Sequence, residues 1–216
     1  MKKKTVSAIC VLAVLVLMAF KKQPKGAIVC FGDSITYGAN VNGHSWVWNL
    51  QQEHPNMNFV NAGRSGRRTA DKAELLPVLK QHPDANYCLI FLGVNDLKNG
   101  TSAMVDSCVT NMQWMIAQIR TTNPHARIIL LAPTDINVQT MSKVNVDKKY
   151  NDNTKKSLVE LASKYKALAK QEHIGFISLL HAVSAPNYAD GLHPNEAGQQ
   201  EIANEVWKGL AISLKS

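Results

Sequence analysis

Residues able to make a serine nucleophilic stand far apart in this chain. Ser34 lies in Gly32-Asp33-Ser34-Ile35, and Asp190 and His193 lie in Asp190-Gly191-Leu192-His193-Pro194. A serine hydroxyl attacks poorly unless a base takes its proton. An imidazole is the better base when a carboxylate orients its other ring nitrogen. A carboxylate three residues before an imidazole, in a turn halted by Pro194, meets that second need locally. Asp190 is therefore expected to hold one nitrogen of His193 while the other faces Ser34. Attack on a carbonyl leaves an oxyanion that needs donors. The candidates are the backbone N–H of Ser34, that of Gly66 and the side-chain amide of Asn95.

These residues need a scaffold that brings them together. Five short apolar runs, at 27–31, 59–61, 87–92, 127–132 and 174–179, read as strands. Segments of helical period separate them: 45–54, 69–81, 102–120, 145–170 and 194–214, the last with Pro194 in its first turn. In 102–120, Met104, Cys108, Met112, Met115 and Ile119 recur at threes and fours and read as core. Alternating strands and helices predict parallel strands covered on both sides, an α/β fold built as a three-layer α/β/α sandwich. Ligands of such sheets gather at the carboxyl ends of the strands. Ser34 follows the first strand, Gly66 the second and Asn95 the third, while Asp190 and His193 follow the fifth. Segment 39–44 and the polar loop 133–145 are expected to wall a shallow pocket there.

Four segments then make a specific resemblance. Phe31-Gly32-Asp33-Ser34-Ile35, Asn61-Ala62-Gly63-Arg64-Ser65-Gly66, Gly93-Val94-Asn95-Asp96 and Asp190-Gly191-Leu192-His193-Pro194 resemble, in order, the four blocks of the SGNH (GDSL) hydrolase family. Ile35 stands where the family's nickname has Leu. The resemblance implies a flavodoxin-like five-stranded parallel sheet, no metal or organic cofactor, and hydrolysis of acyl esters or thioesters through a serine acyl-enzyme. It implies Ser34 as nucleophile and first oxyanion donor, Gly66 and Asn95 as the other donors, His193 as base and Asp190 as its orienting carboxylate. Gly63 competes with Gly66 within the second block. Gly66 is preferred because the family places the donor glycine at the block's end.

Blander roles stand beside these. Gly-Asp-Ser alone makes ordinary turns, and it is the four blocks in order that outweigh this. Asn95 or Asp96 could cap the next helix, and His193 could be a packing residue. Asp33 reads as a turn residue capping local N–H groups. His44, His54, His82, His125, His173 and His181 have no carboxylate in a matching turn and read as surface or packing residues.

The bulk properties set the frame. The length of 216 residues suits one catalytic domain, over 26–216. Five of the eight excess positive charges are Lys2, Lys3, Lys4, Lys21 and Lys22, which flank an apolar run at 6–20. Residues 1–22 thus read as a signal peptide or an N-terminal membrane anchor, and the protein as exported, periplasmic or extracellular. The mildly basic remainder carries no aromatic-interleaved basic stripe, so no nucleic-acid partner is expected. Cys30, Cys88 and Cys108 read as small buried residues, with a Cys30–Cys88 disulfide open if their strands are neighbours. The expected partner is a small-molecule or carbohydrate ester, with membrane contact only through the N-terminal segment and oligomeric state open. The expected reaction is hydrolysis of a short acyl ester, such as an O-acetyl group on a carbohydrate. The alternatives are a lysophospholipase or acyl-thioesterase using the same residues, and an inactive exported carbohydrate-binding module.

Overall fold

The computed structural model describes residues 26–215; the expected signal or anchor at 1–22 lies outside them. Five strands form one parallel sheet: β1 (Ile28–Gly32), β2 (Phe59–Gly63), β3 (Tyr87–Phe91), β4 (Arg127–Ala132) and β5 (Gly175–Ser178), in the order β2-β1-β3-β4-β5. Among the described residues seven α-helices accompany it: α1 (Ser34–Tyr37), α2 (Trp46–Glu53), α3 (Leu75–Gln81), α4 (Ser102–Thr122), α5 (Lys143–Asp147), α6 (Asp152–Gln171) and α7 (Glu196–Ser213). The expected three-layer sandwich is thus present. The chain leaves β1 for β2 on one side and later returns to β3 on the other. That reversal opens a crevice beyond the carboxyl ends of β1 and β3.

Successive strand residues face opposite layers, which divides the core in two. Val29, Phe31, Cys88 and Ile90 pack with Leu75 and Leu79 of α3, Met112 and Met115 of α4, and Leu161 and Tyr165 of α6. Ile28, Cys30, Leu89 and Phe91 pack with Trp46 and Leu50 of α2 and Ile202 and Val206 of α7. Met104, expected in the α4 core stripe, is instead 37% exposed at the helix's first turn. The register pairs Val29 with Cys88 and Cys30 with Leu89, so Cys30 and Cys88 point into different layers. They are neighbours without being partners: Cys30, Cys88 and Cys108 are all free thiols.

Three expectations are corrected in the helices. Residues 69–74 are a 3-10 segment, and α3 proper begins at Leu75. The long helix expected over 145–170 is broken between α5 and α6, where Lys149 takes φ +73°. Asn151 there turns its side chain back to accept from the N–H groups of Asn153 and Thr154, a cap strong enough to start a new helix. Pro194 stands outside the last helix, bridging to Tyr188, and Asn195 is the cap, accepting from Gly198 N.

Candidate active site

The turn after β1 is organised by Asp33. Its Oδ1 accepts from Ile35 N at 2.9 Å and starts the four-residue α1, whose first residue is Ser34. Ser34 is thereby presented at the switch point, with its side chain in reach of the distant turn before α7. Ser34 Oγ lies 3.0 Å from His193 Nε2, and His193 Nδ1 lies 2.9 Å from Asp190 Oδ2. The three form an unbroken hydrogen-bonded chain across 159 residues of sequence.

The Asp190–His193 turn is held from within and without. Asp190 Oδ1 accepts from Leu192 N and His193 N at 3.0 and 2.7 Å, while Oδ2 also accepts from Asn40 Nδ2 at 3.2 Å. Partial burial opposes the charge of Asp190, but the hydrogen bonds from His193 outweigh it and hold the carboxyl far below the usual carboxylate range. Gly191 occupies the left-handed region at φ +79°, where a side chain would strain the backbone. The backbone of the turn is anchored by segment 133–145: Asn137 N donates to Gly191 O, and Ser142 N and Asn145 Nδ2 donate to Asp190 O. That segment therefore buttresses the turn.

Asn95 sits in a 3-10 turn, Val94–Asp96, directly after β3. It does not cap α4, which is capped by Thr101, and Asp96 is spent on the N–H and hydroxyl of Thr69. The Asn95 amide is buried and read at both ends. Its Oδ1 accepts from Tyr150 Oη at 2.7 Å, and its Nδ2 donates to Arg67 O at 3.2 Å and Asp33 Oδ2 at 3.4 Å. The two glycines of the second block differ in availability. Gly63 N is taken by Asn61 Oδ1, whereas Gly66 is exposed at φ +77° and its N–H has no hydrogen bond among the described residues.

The sequence alone did not single out Asn40, Arg67 or Tyr150. Asn40 follows Ser34 by six residues in a polar turn and carried no pattern of its own. Arg67 carried no signal of its own in the sequence, and its guanidinium is buried 4.1 Å over the Phe31 ring and donates to Gly32 O and Ala62 O. Asp33 was legible as a cap, but its burial was not. Complete burial raises its carboxyl to about 6, against the opposing hydrogen bond from Ile35 N. Together these groups can pass a proton from a hydroxyl to an imidazole and offer N–H donors to a developing oxyanion.

Residues 30–201 match the model of the GDSL-like lipase/acylhydrolase family. No curated protein matches the chain in a sequence search. Similar solved structures include a carbohydrate acetylesterase from Sinorhizobium meliloti, 19% identical with a TM-score of 0.73, covering 87% of this chain and 99% of that one. An aryl esterase of M. smegmatis is 21% identical with a TM-score of 0.72, covering 87% and 99%. A psychrotrophic esterase from Pseudoalteromonas sp. is 19% identical with a TM-score of 0.69, covering 88% and 100%. At these identities the structural likeness speaks for the fold.

Proposed function

Because the chain belongs to the GDSL-like lipase/acylhydrolase family and is with it a carboxylic ester hydrolase, we propose that it works through an acyl-enzyme on Ser34. Ser34 Oγ attacks the acyl carbonyl as its proton passes to His193 Nε2. Asp190 keeps the imidazole in the tautomer that accepts there and stabilises the imidazolium that results. The oxyanion is held by the N–H groups of Ser34 and Gly66 and by Asn95 Nδ2. The amide hydrogen now directed at Asp33 across 3.4 Å, the longer of its two contacts, is the one the oxyanion engages. Collapse expels the alcohol, protonated by the imidazolium. Water, deprotonated by His193, then releases the acid and restores the serine. The observation that carries this reading is the Ser34–His193–Asp190 chain at 3.0 and 2.9 Å.

The substrate is a short acyl ester, such as an O-acetyl group on a carbohydrate, met outside the cytoplasm. Support comes from the short polar groups near Ser34 and the Asp190 turn, including Asn40 and Asn95. The carbohydrate acetylesterase and aryl esterase among the similar structures point the same way. The lysine-flanked apolar run at 6–20 supports export.

A fluorophosphonate probe and p-nitrophenyl esters of graded chain length test the reading. Ser34 is expected to be the labelled residue, and turnover to be highest on the acetyl ester and to fall with chain length. Ser34→Ala is expected to remove labelling and activity while leaving the melting temperature close to that of the unaltered protein. Activity retained by Ser34→Ala would overturn the mechanism. A preference for long chains would favour the lysophospholipase alternative.

A further inference from the structure

We propose that Tyr150 is a positioning residue for this reaction: its hydroxyl fixes which end of the Asn95 amide faces the reacting carbonyl. The proposal rests on the reading of Asn95 as an oxyanion donor. An asparagine amide has two ends of nearly equal size and opposite polarity, and only its NH2 end can serve an oxyanion. A flipped amide would set a carbonyl oxygen against the developing charge. The neighbours of Asn95 remove that choice. Oδ1 can only accept, so the 2.7 Å contact requires Tyr150 to donate its hydroxyl hydrogen. Nδ2 is then directed away, where Arg67 O and Asp33 Oδ2 are both acceptors.

Tyr150 is 2% exposed and Asn95 7%, so water does not compete freely for either end. Burial also pushes the phenol above its usual range, which keeps the hydroxyl protonated as a donor. Tyr150 reaches this place because the helix breaks. Lys149, at φ +73°, accepts from Asn99 N at 2.7 Å, and Asn151 Nδ2 donates to Asn99 Oδ1 at 3.1 Å. The break is thereby tied to the turn that follows Asn95. Amphipathic period alone favours a continuous helix here, and its interruption brings the tyrosine to the amide.

The test is steady-state kinetics on p-nitrophenyl acetate with Tyr150→Phe, Asn95→Ala and the double variant. Fluorophosphonate-reactive sites are counted so that turnover refers to folded enzyme. Tyr150→Phe is expected to lower kcat about 10-fold with KM within about twofold. Asn95→Ala is expected to lower kcat about 100- to 1000-fold. The double variant should be no slower than Asn95→Ala, because a hydroxyl that acts only through the amide has nothing left to position. Tyr150→Met, which also lacks the donor, should repeat the Tyr150→Phe loss and serves where the latter folds poorly. Unchanged kcat in both Tyr150 variants overturns the proposal, as does a further 10-fold loss on top of Asn95→Ala. Failure of the probe to label Ser34 would instead sink the underlying mechanism. Labelling of Ser34 with full turnover in Asn95→Ala would spare the nucleophile and overturn the roles of both Asn95 and Tyr150.

Discussion

Two carboxylates serve the groups around Ser34, and their linkage to stability has opposite signs. Asp33 is raised by burial from 3.8 to about 6. A carboxyl whose folded value lies above its unfolded one favours the fold below pH 4, and that advantage is lost as pH rises through about 6. The loss is on the order of 3 kcal/mol. Asp190 is depressed by the hydrogen bonds from His193, so its contribution is present above the unfolded carboxylate range and is lost as pH falls through its folded value. Melting temperatures from pH 2 to 8 separate the two. Asp33→Asn should gain stability relative to the unaltered protein as pH rises from 4 to 7. Asp190→Asn should be destabilised at pH 7 and converge with it toward acid. Differences that do not vary with pH would contradict both assignments.

At the scale of elements, the turn carrying Asp190 and His193 is a rigid piece wedged against segment 133–145. A Cβ on Gly191 would lie 2.5 Å from Met141 Cα and 2.6 Å from Asn137 O, both backbone atoms, besides facing the strain of φ +79°. Gly66 has a similar φ of +77° but nothing within 4 Å of its would-be Cβ. Gly66→Ala is therefore expected to cost only the left-handed penalty, roughly 1 to 2 kcal/mol. Gly191→Ala should cost more and also lower kcat, because displacing the turn moves His193 from Ser34. Thermal melts and turnover of the two variants check this. Equal losses of stability would show that the packing against Met141 and Asn137 yields without cost.

For the whole molecule, parallel pairing decides the chemistry of the cysteines. Adjacent strands bring Cys30 and Cys88 close, but their register is offset by one residue, so the pleat sends one to each core layer. All three described thiols are buried, and burial drives each upward, away from reactivity. Reductant should leave the melting temperature unchanged. Alkylation of denatured, unreduced protein should label Cys30, Cys88 and Cys108, and a peptide mass joining Cys30 to Cys88 would refute the register. Much of the molecule was legible beforehand because its signals are local. Apolar runs and helical period disclose a parallel sandwich, and Asp190 with His193 shares one turn whose spacing suffices. The positions of Ser34 and Asn95 were legible because a parallel sheet places the residues after its strands at one edge, whereas the preference for Gly66 over Gly63 came from the family resemblance alone. Tyr150, Asn40 and the burial of Arg67 and Asp33 were decided only by tertiary structure. Each acts through partners from 28 to 150 residues away, or through a helix break that competes with a good amphipathic pattern. No periodicity or spacing encodes such contacts; they exist once the sheet has brought β1, β3 and the turn before α7 to the same crevice.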